Sequence, residues 1–511
     1  MVRISRRSHL APLGWAVLVW AAAALGPAQA QTKSAKRGVA YGYHSAADMQ
    51  VLAPGISWWY NWYSKPDAGA AGVYSGLNVE YVPMQWGANL DGGPVTAAQL
   101  AGNIPNNARY LLGFNEPNFR SQANLTPRQA AALWPVLEDV ARRKNLKLVA
   151  PAVNYCGDCV AENGTTYYTP TQYLDAFFAA CPNCQVDYIA VHTYVCEEQW
   201  LRGKIAELKK YNKPIWLTEF ACGDMPASQI TAAVQQKYML DAVNYLEKEP
   251  AVFRYSWFSG RNAEIPNINL LGNSGQLTAL GQQYVGLPGG WEPGRIRPQA
   301  VTASSRESSA TGPENATDEN INTRWASTFT DPQFLMLDFG SVQSFSRVQL
   351  SWETAYARDY QLQTSADGST WTTIRAVTNS DGGLDNLTGL SGQGRYLRLY
   401  GTRRATTYGY SLYELEVFGR PMAAPLGARA AADTSPALLL YPNPAEAQLR
   451  LATASNVPLQ QVAVLDALGR TVLSAVRPAG TLNIAQLPAG IYLLRATTSD
   501  QQTLTQRFTK R

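Results

Sequence analysis

Between Arg37 and about Gly286, eight short apolar or aromatic stretches alternate with Ala- and Leu-rich segments of helical period, and this alternation constrains the 511-residue chain more than any other feature. The stretches are GVAYGYH from Gly38, SWWYNW from Ser57, EYVPMQW from Glu80, YLLGFNE from Tyr110, KLVAPAV from Lys147, VDYIAVHTY from Val186, PIWLTEF from Pro214 and FRYSWFSG from Phe253. Strand-then-helix alternation favours a parallel sheet, because the returning helix covers the sheet face. Eight repeats within roughly 250 residues predict a (β/α)8 TIM barrel. Asn115, Glu116, His192, Tyr194, Glu219 and Trp257 then fall at the carboxyl-terminal strand ends, where such barrels keep their chemistry.

The rest of the chain changes character. LPGGWEPGRIRPQ from Leu287 reads as a linker, and residues 298–419 are Ser/Thr-rich and alternating, which predicts a β-sandwich. A second Ala-rich linker runs from Arg420 to about Ala437, and residues 438–511 predict a small third β domain with turns at Asn443-Pro444, Leu468-Gly469 and Pro488-Ala489-Gly490. Residues 1–30 read as an export signal: Arg3, Arg6 and Arg7, an apolar run from Leu13 to Leu25, then Ala28-Gln29-Ala30. No other segment is apolar enough to span a bilayer, so no transmembrane segment is expected in the mature chain. The net charge of +5 sits in the signal and in the last domain, which leaves the central domains without a basic footprint and disfavours nucleic acid as a partner. The 14 Trp and 27 Tyr suit sugar-binding clefts.

Glu116 in GFNEPN and Glu219 in WLTEF end the fourth and seventh predicted strands. Paired carboxylates are what a retaining glycosidase needs, since one carboxylic acid protonates the leaving oxygen while the other, about 5 to 5.5 Å away, attacks the anomeric carbon. Pro117 is expected to hold Glu116 extended. Asn115 offers an amide to a sugar hydroxyl, and Trp58, Trp59, Trp62, Trp86 and Trp257 are candidate stacking platforms, although alternate residues of a barrel strand point into different layers.

GFNEPN, VPMQWG, VHTY, WLTEF and the YNW of the second strand make residues 37–287 resemble glycoside hydrolase family 128, the alkali-sensitive linkage protein type of glycosyl hydrolase catalytic core. The resemblance implies a retaining endo-β-1,3-glucanase, with Glu116 as acid/base and Glu219 as nucleophile, and no cofactor for catalysis. The two carboxyls must then differ in environment, and the sequence leaves open which has the raised pKa. Asn61, His192 and Tyr194 join Asn115, Trp62, Trp86 and Trp257 as expected sugar contacts, His192 alternatively orienting the nucleophile.

All six cysteines, Cys156, Cys159, Cys181, Cys184, Cys196 and Cys222, lie in the first domain. The two C-x2-C pairs approach zinc-ribbon spacing, but an even count in an exported chain favours disulfides. Cys196 and Cys222 each follow a catalytic strand by two or three residues, so they are expected to join the loops after strands six and seven. The other four pair among themselves, within or across the C-x2-C motifs.

NATDENINTRW, FLMLDFG, DYQLQTSADGSTW, RYLRLY and YGYSLYELEVFG make residues 298–419 resemble the discoidin, or coagulation factor V/VIII C-type, jelly roll, especially family 32 carbohydrate-binding modules. That resemblance implies a structural calcium held by Ala316, Asp318, Asn320, Thr323 and Glu414, with Glu416 an alternative to the last, and with Glu319 where the family has Gly. Trp352, Tyr356, Arg358 and Tyr408 are candidate sugar contacts of the module. LYPNPA, VLDALGRTV, LPAGIYLLRATT and the basic end Lys510-Arg511 resemble the sorting domain of type IX secretion substrates, read as a small immunoglobulin-like sandwich. The implied partners are a β-glucan and a secretion machinery, for a monomer that is released or held at the cell surface. A hydrolase of β-1,4-glucan or mannan, and a non-catalytic glycan-binding adhesin, are the alternatives.

Overall fold

A computed structural model describes residues 33–421 and 438–511, apart from 454–456, 467–469, 477, 479, 500 and 501. The expected signal at 1–30, the linker beyond Pro421 and the turn at Leu468-Gly469 lie outside the described residues.

All eight expected strands form: β1 Arg37–Ala40, β2 Trp58–Tyr60, β3 Glu80–Tyr81, β4 Tyr110–Leu112, β5 Lys147–Val149, β6 Ile189–Thr193, β7 Ile215–Phe220 and β8 Val252–Phe258. They are shorter than the apolar stretches, because each stretch runs on into the loop that carries its polar residues. Six of them make one parallel sheet in the order β6-β7-β8-β1-β2-β3, and β4 pairs with β5 in parallel. Isolated parallel bridges at Met84–Leu112, Val149–Tyr188 and Val153–Val191 link the two sheets. Between strands lie α1 Ala46–Leu52, α2 Ala97–Asn103, α3 Pro127–Lys144, α4 Pro170–Ala180, α5 Glu198–Leu208, α6 Ala232–Lys248 and α7 Ala279–Gly286. Several helices begin where the sequence signals it: Thr126 and Thr169 each cap a helix whose first residue is Pro and whose third is Gln, the reciprocal box that satisfies two orphan donors.

The strands bury both faces, as a helix-covered parallel sheet must. Trp58, Tyr60, Met84, Leu112, Val149, Ala190 and Trp216 fill one core, while Trp59, Leu111, Leu148, Ile189, Leu217 and Trp257 pack toward the helices. Arg254 lies within the first core, its guanidinium 4.8 Å from the Tyr110 ring and 4.9 Å from the Trp216 ring, and pairs with Glu80 at 2.6 Å. Gly38 is required there, because a Cβ at this position would stand 2.4 Å from the Trp58 indole.

The second domain is an antiparallel assembly of β9 Ala300–Ala303, β10 Trp325–Ala326, β11 Gln333–Trp352, β12 Ala357–Ser365, β13 Thr372–Val377, β14 Leu384–Leu387, β15 Gly392–Arg404 and β16 Ser411–Pro421. Its main path runs β10-β16-β11-β15-β12-β13, with β9 and β14 also on β11. It docks on α5 and α6 through a buried seam. Arg202 of α5 donates to the Ile321 carbonyl at 2.6 Å, with its guanidinium 3.8 Å from the Tyr413 ring and 4.3 Å from the Tyr245 ring. Ile321 itself is 1% exposed and belongs to the core of the first domain. From α6, Asn244 donates to Ser351 at 3.0 Å, Asp241 accepts from the Leu384 amide at 2.8 Å, and Lys248 pairs with Glu416, both side chains buried.

The last domain comprises β17 Leu438–Tyr441, β18 Gln448–Thr453, β19 Leu459–Leu465, β20 Thr471–Val476, β21 Thr481–Asn483, β22 Gly490–Thr498 and β23 Thr503–Lys510. A three-stranded sheet, β17-β18-β21, and a four-stranded one, β20-β19-β22-β23, share a core that includes Leu449, Val464, Leu494 and Phe508.

Candidate active site

A cleft of about 870 Å³ opens at the carboxyl-terminal ends of the parallel strands, and both Glu116 and Glu219 line it. Glu219 sits within β7, almost wholly buried. Its Oε1 accepts from the Tyr60 hydroxyl at 2.9 Å and from the Trp62 indole at 2.8 Å, and its Oε2 accepts from the Tyr194 hydroxyl. Glu116 lies four residues beyond β4, where its amide donates to the Ala152 carbonyl at 2.7 Å. Its Oε1 accepts from Asn154 Nδ2 at 2.9 Å. The backbone there is not extended as the following proline suggested: φ is +41°, in the left-handed region, and the Glu116 carbonyl accepts from Phe119 to close a turn. The sheet bond to Ala152 and that turn together outweigh the local preference of a residue before Pro.

His192 joins the two carboxylates. Its Nδ1 is 2.9 Å from Glu116 Oε1 and 3.3 Å from Glu219 Oε2, and one donor atom from each of the three residues falls within a 4.8 Å group. Nε2 is buried with no partner, so the proton that matters is the one on Nδ1 between the carboxylates. Burial works against the charged form of all three groups. For Glu116 the bond and charge of His192, with Asn154, win, and its pKa is lowered. For Glu219 burial and the charge of Glu116 outweigh His192 and the bonds from the Tyr194 hydroxyl and the Trp62 indole, and its pKa is raised. His192 is itself raised against its burial by the Glu219 charge and the Glu116 bond. Two carboxylates and an imidazole could also ligate a divalent cation by type, but each carboxylate here already accepts fixed donors.

Of the other expected sugar contacts, Asn115, Trp62, Trp86 and Tyr194 line the cleft. Asn115 Oδ1 is buried without a partner, and Trp86 is 38% exposed. Three do not reach it. His192 is fully buried, in contact with both carboxylates through Nδ1. Trp257 is 0% exposed, donating to the Ile268 carbonyl at 3.0 Å among Phe220, Tyr238 and Tyr284. Asn61 is consumed by Asp67 at 2.8 Å and Tyr81 at 2.7 Å, which shape the loop after β2. Trp58 and Trp59 are likewise core. Tyr60 and Asn154 were not anticipated, although Tyr60 lies in SWWYNW and Asn154 directly follows KLVAPAV, at strand ends like the others.

The cysteines form three disulfides, Cys156–Cys159, Cys181–Cys184 and Cys196–Cys222, so each C-x2-C closes on itself and no thiol remains for zinc. Cys196–Cys222 ties the loops after β6 and β7, where the Gly223 amide donates to the Tyr194 carbonyl at 2.8 Å. The bridge thus supports the tyrosine that bonds Glu219.

In the second domain the expected ligand loop converges on one point. Thr323 Oγ1 is 2.7 Å from Asp318 Oδ2 and 2.8 Å from the Asn320 carbonyl, and Ala316 is buried beside them. Both oxygens of Glu414 are buried without a partner, and burial with the charges of Glu416 and Asp318 pushes its pKa up to about 8. An orphaned buried carboxylate of this kind fits the donor set of a hard cation by its chemistry. Glu416 is paired with Lys248 and lies 3.5 Å from Arg295, while its Oε1 is buried without a hydrogen-bond partner. Glu319 has φ +61°, the conformation for which Gly is suited, and its carboxylate is held by Arg295 and Arg297. At the other loops Tyr408 is exposed and meets Phe329 edge-on at 5.8 Å, whereas Trp352 is buried against Asp385 and Tyr360. Tyr356 is half-buried, and Arg358 is exposed.

Comparison with known proteins follows the same division. The glycosyl hydrolase catalytic core family matches residues 38–284, the F5/8 type C domain residues 300–415, and the secretion system C-terminal sorting domain residues 439–511. Alkali-sensitive linkage protein 1 of Schizosaccharomyces pombe is 30% identical over 259 residues, 49% of this chain, and the chain spans only 44% of that protein. The crystal structure of a GH128 (subgroup II) endo-β-1,3-glucanase from Sorangium cellulosum is 49% identical, with 50% of this chain and 99% of that one covered and a TM-score of 0.46. A chitosan-binding module of a Paenibacillus sp. IK-5 chitosanase/glucanase, solved with chitotriose, is 44% identical over 24% of this chain and 98% of its own, with a TM-score of 0.24. Through its first half, which carries the paired glutamates, this chain belongs to the glycosyl hydrolase catalytic core family of the GH128 type, with an F5/8 type C domain and a type IX sorting domain behind it.

Proposed function

We propose that the chain is an exported, retaining endo-β-1,3-glucanase that works as a monomer. The observation that carries this reading is the Glu116–His192–Glu219 cluster, with carboxylate oxygens inside the separation a covalent glycosyl intermediate requires. The parallel strands and the bridges between β3 and β4 and between β5 and β6 support closure as a (β/α)8 barrel. The two sheets of the last domain support an immunoglobulin-like sandwich.

In this mechanism a Glu219 oxygen bonds to the anomeric carbon as the glycosidic C–O bond breaks, and Glu116 gives its proton to the departing oxygen. Glu116 then takes a proton from water, which attacks the ester and releases Glu219 with overall retention. The donors support these roles: Tyr60, Trp62 and Tyr194 hold Glu219 in place and favour its ionised form. In the free enzyme His192 draws Glu116 down while burial lifts Glu219, and the reacting form carries the proton on Glu116 with Glu219 ionised. A sugar in the cleft removes water from Glu116 and shifts the proton toward it.

The second domain supplies a glycan-binding module whose sugar contacts centre on Tyr408 and Phe329, and its loop residues Ala316, Asp318, Asn320, Thr323 and Glu414 fit a hard cation such as calcium, which would brace the loop. The test is reducing-end release from a soluble β-1,3-glucan, with Glu116→Gln and Glu219→Gln beside the wild type and the anomer of the first product read by NMR. Loss of activity by orders of magnitude in both variants, with β-anomer first, is the expected result. An α-anomer first refutes the mechanism, activity on β-1,4-glucan or mannan alone refutes the substrate, and glycan binding without turnover refutes the enzyme.

A further inference from the structure

Three cavities follow one another across the first two domains. The catalytic cleft is bounded on one side by Val195, Trp200 and Asp224. Their chain neighbours Cys196, Gln199 and Met225 line a second groove of about 370 Å³ along the seam, whose far wall is Glu353, Thr354 and Asp381 of the module. Glu353 and Thr354 also line a third cavity of about 410 Å³, the one holding Phe329 and Tyr408. Thr354 Oγ1 donates to Gln199 Oε1 at 3.1 Å, an exposed bond between the two walls of the groove. The groove cannot open and close freely, because the seam beneath it is buried and ion-paired through Arg202, Ile321, Lys248 and Glu416.

The groove also holds a polar atom that the fold leaves unused. Tyr238 lines it, is 2% exposed, and its hydroxyl has no partner. A buried hydroxyl without a partner costs free energy unless a ligand or water completes it. The groove carries Glu197, Glu353 and Asp381, the last 3.7 Å from Lys237 of the same lining, and Trp200 of the cleft, next to Gln199 in the chain, is 58% exposed. Carboxylates that accept from hydroxyls, beside a flat indole, suit a neutral polyhydroxylated chain.

Building on the glucanase reading, we infer that the seam groove is a binding site for the same β-glucan chain that the cleft cuts. A single strand then runs from the catalytic cleft past Trp200, through the groove, to the aromatic pair of the module. The module is not an independent tether but the far end of one extended binding surface. Its contribution therefore depends on chain length: oligosaccharides too short to leave the cleft gain nothing from it, and long ones gain affinity because the ordering cost is met once.

The experiment measures kcat and KM for the full mature chain on a laminari-oligosaccharide series and on soluble β-1,3-glucan. Asp381→Lys and Gln199→Ala alter the groove rim, and Thr354→Trp fills it, with small-angle scattering to verify that the domains stay docked. The expected result is that the ratio of kcat/KM on long chains to that on the shortest cleaved oligosaccharide falls about tenfold in Thr354→Trp, mostly through KM, and less in the other two. A wild-type ratio that is flat with chain length, or unchanged in the docked Thr354→Trp variant, overturns the inference while leaving the glucanase standing. An inactive wild type on every β-1,3-glucan removes the glucanase reading itself.

Discussion

Replacing His192 by Phe removes the imidazole between the two carboxylates while keeping a ring in a fully buried site. The oxygens involved lie within 4.8 Å of one another, and two unit charges at that distance repel by about 3.5 kcal/mol at an effective dielectric of 20, equivalent to roughly 2.5 pK units. His192 offsets part of this repulsion, since it lowers the pKa of both Glu116 and Glu219. Without it both pKa values rise. The nucleophile must be ionised, so the acidic limb of the kcat/KM profile moves to higher pH. The acid must be protonated, so the alkaline limb moves to higher pH as well. We expect the whole bell to shift by about one to two pH units toward alkali, with a lower maximum. His192→Gln, which restores a neutral donor, should shift it less. The assay is the pH dependence of reducing-end release, with circular dichroism confirming the fold. A folded His192→Phe enzyme whose limbs stay in place, or move toward acid, would falsify the coupled-pair account.

Tyr60→Phe and Tyr194→Phe each delete one hydroxyl donor to Glu219 and should each lower kcat/KM by roughly 10- to 100-fold, as expected for a bond to a charged group, measured on the same glucan. Exchanging Cys196 and Cys222 together for Ser removes a link of sequence separation 26, worth about 3.5 kcal/mol of loop-closure entropy, and should lower the melting temperature and kcat together. Chelation of divalent ions should lower the melting temperature of the wild type, and readdition of calcium should restore it, whereas Glu414→Gln should make the protein insensitive to both. Lys248→Met should destabilise by roughly 3 kcal/mol, moderated by Arg295 near the same carboxylate, and adding Glu416→Leu should recover most of it in denaturant titrations.

The strands and the glutamate pair are legible because each strand is a local apolar run ending in a polar residue, and a parallel α/β fold places its chemistry at those ends. What periodicity cannot reach is direction. Trp58, Trp59, Trp62 and Trp257 look alike in sequence, yet only Trp62, with φ at +61°, turns its indole toward Glu219. Asn61 stands beside it and is spent on Asp67 and Tyr81, contacts set by the loop path rather than by the motif. Glu116 shows the same limit in the backbone, where a long-range bond to Ala152 overrides the local rule for a residue before Pro. The docking of the module was illegible because its anchors, Arg202, Asn244, Lys248 and Ile321, are ordinary surface residues of their own elements until the two faces meet.

Glu116 is also where the protein trades solidity for work. A non-glycine residue held in the left-handed region costs of order 1 kcal/mol, and burying its carboxylate beside a second one adds to that. Glycine at this position would relax the backbone and abolish the repulsion, giving a sturdier chain without the acid that the proposed mechanism uses. Random variation selected for thermal resistance alone will therefore drift toward an inert protein, and a programme to harden this enzyme must hold position 116 fixed while it searches elsewhere.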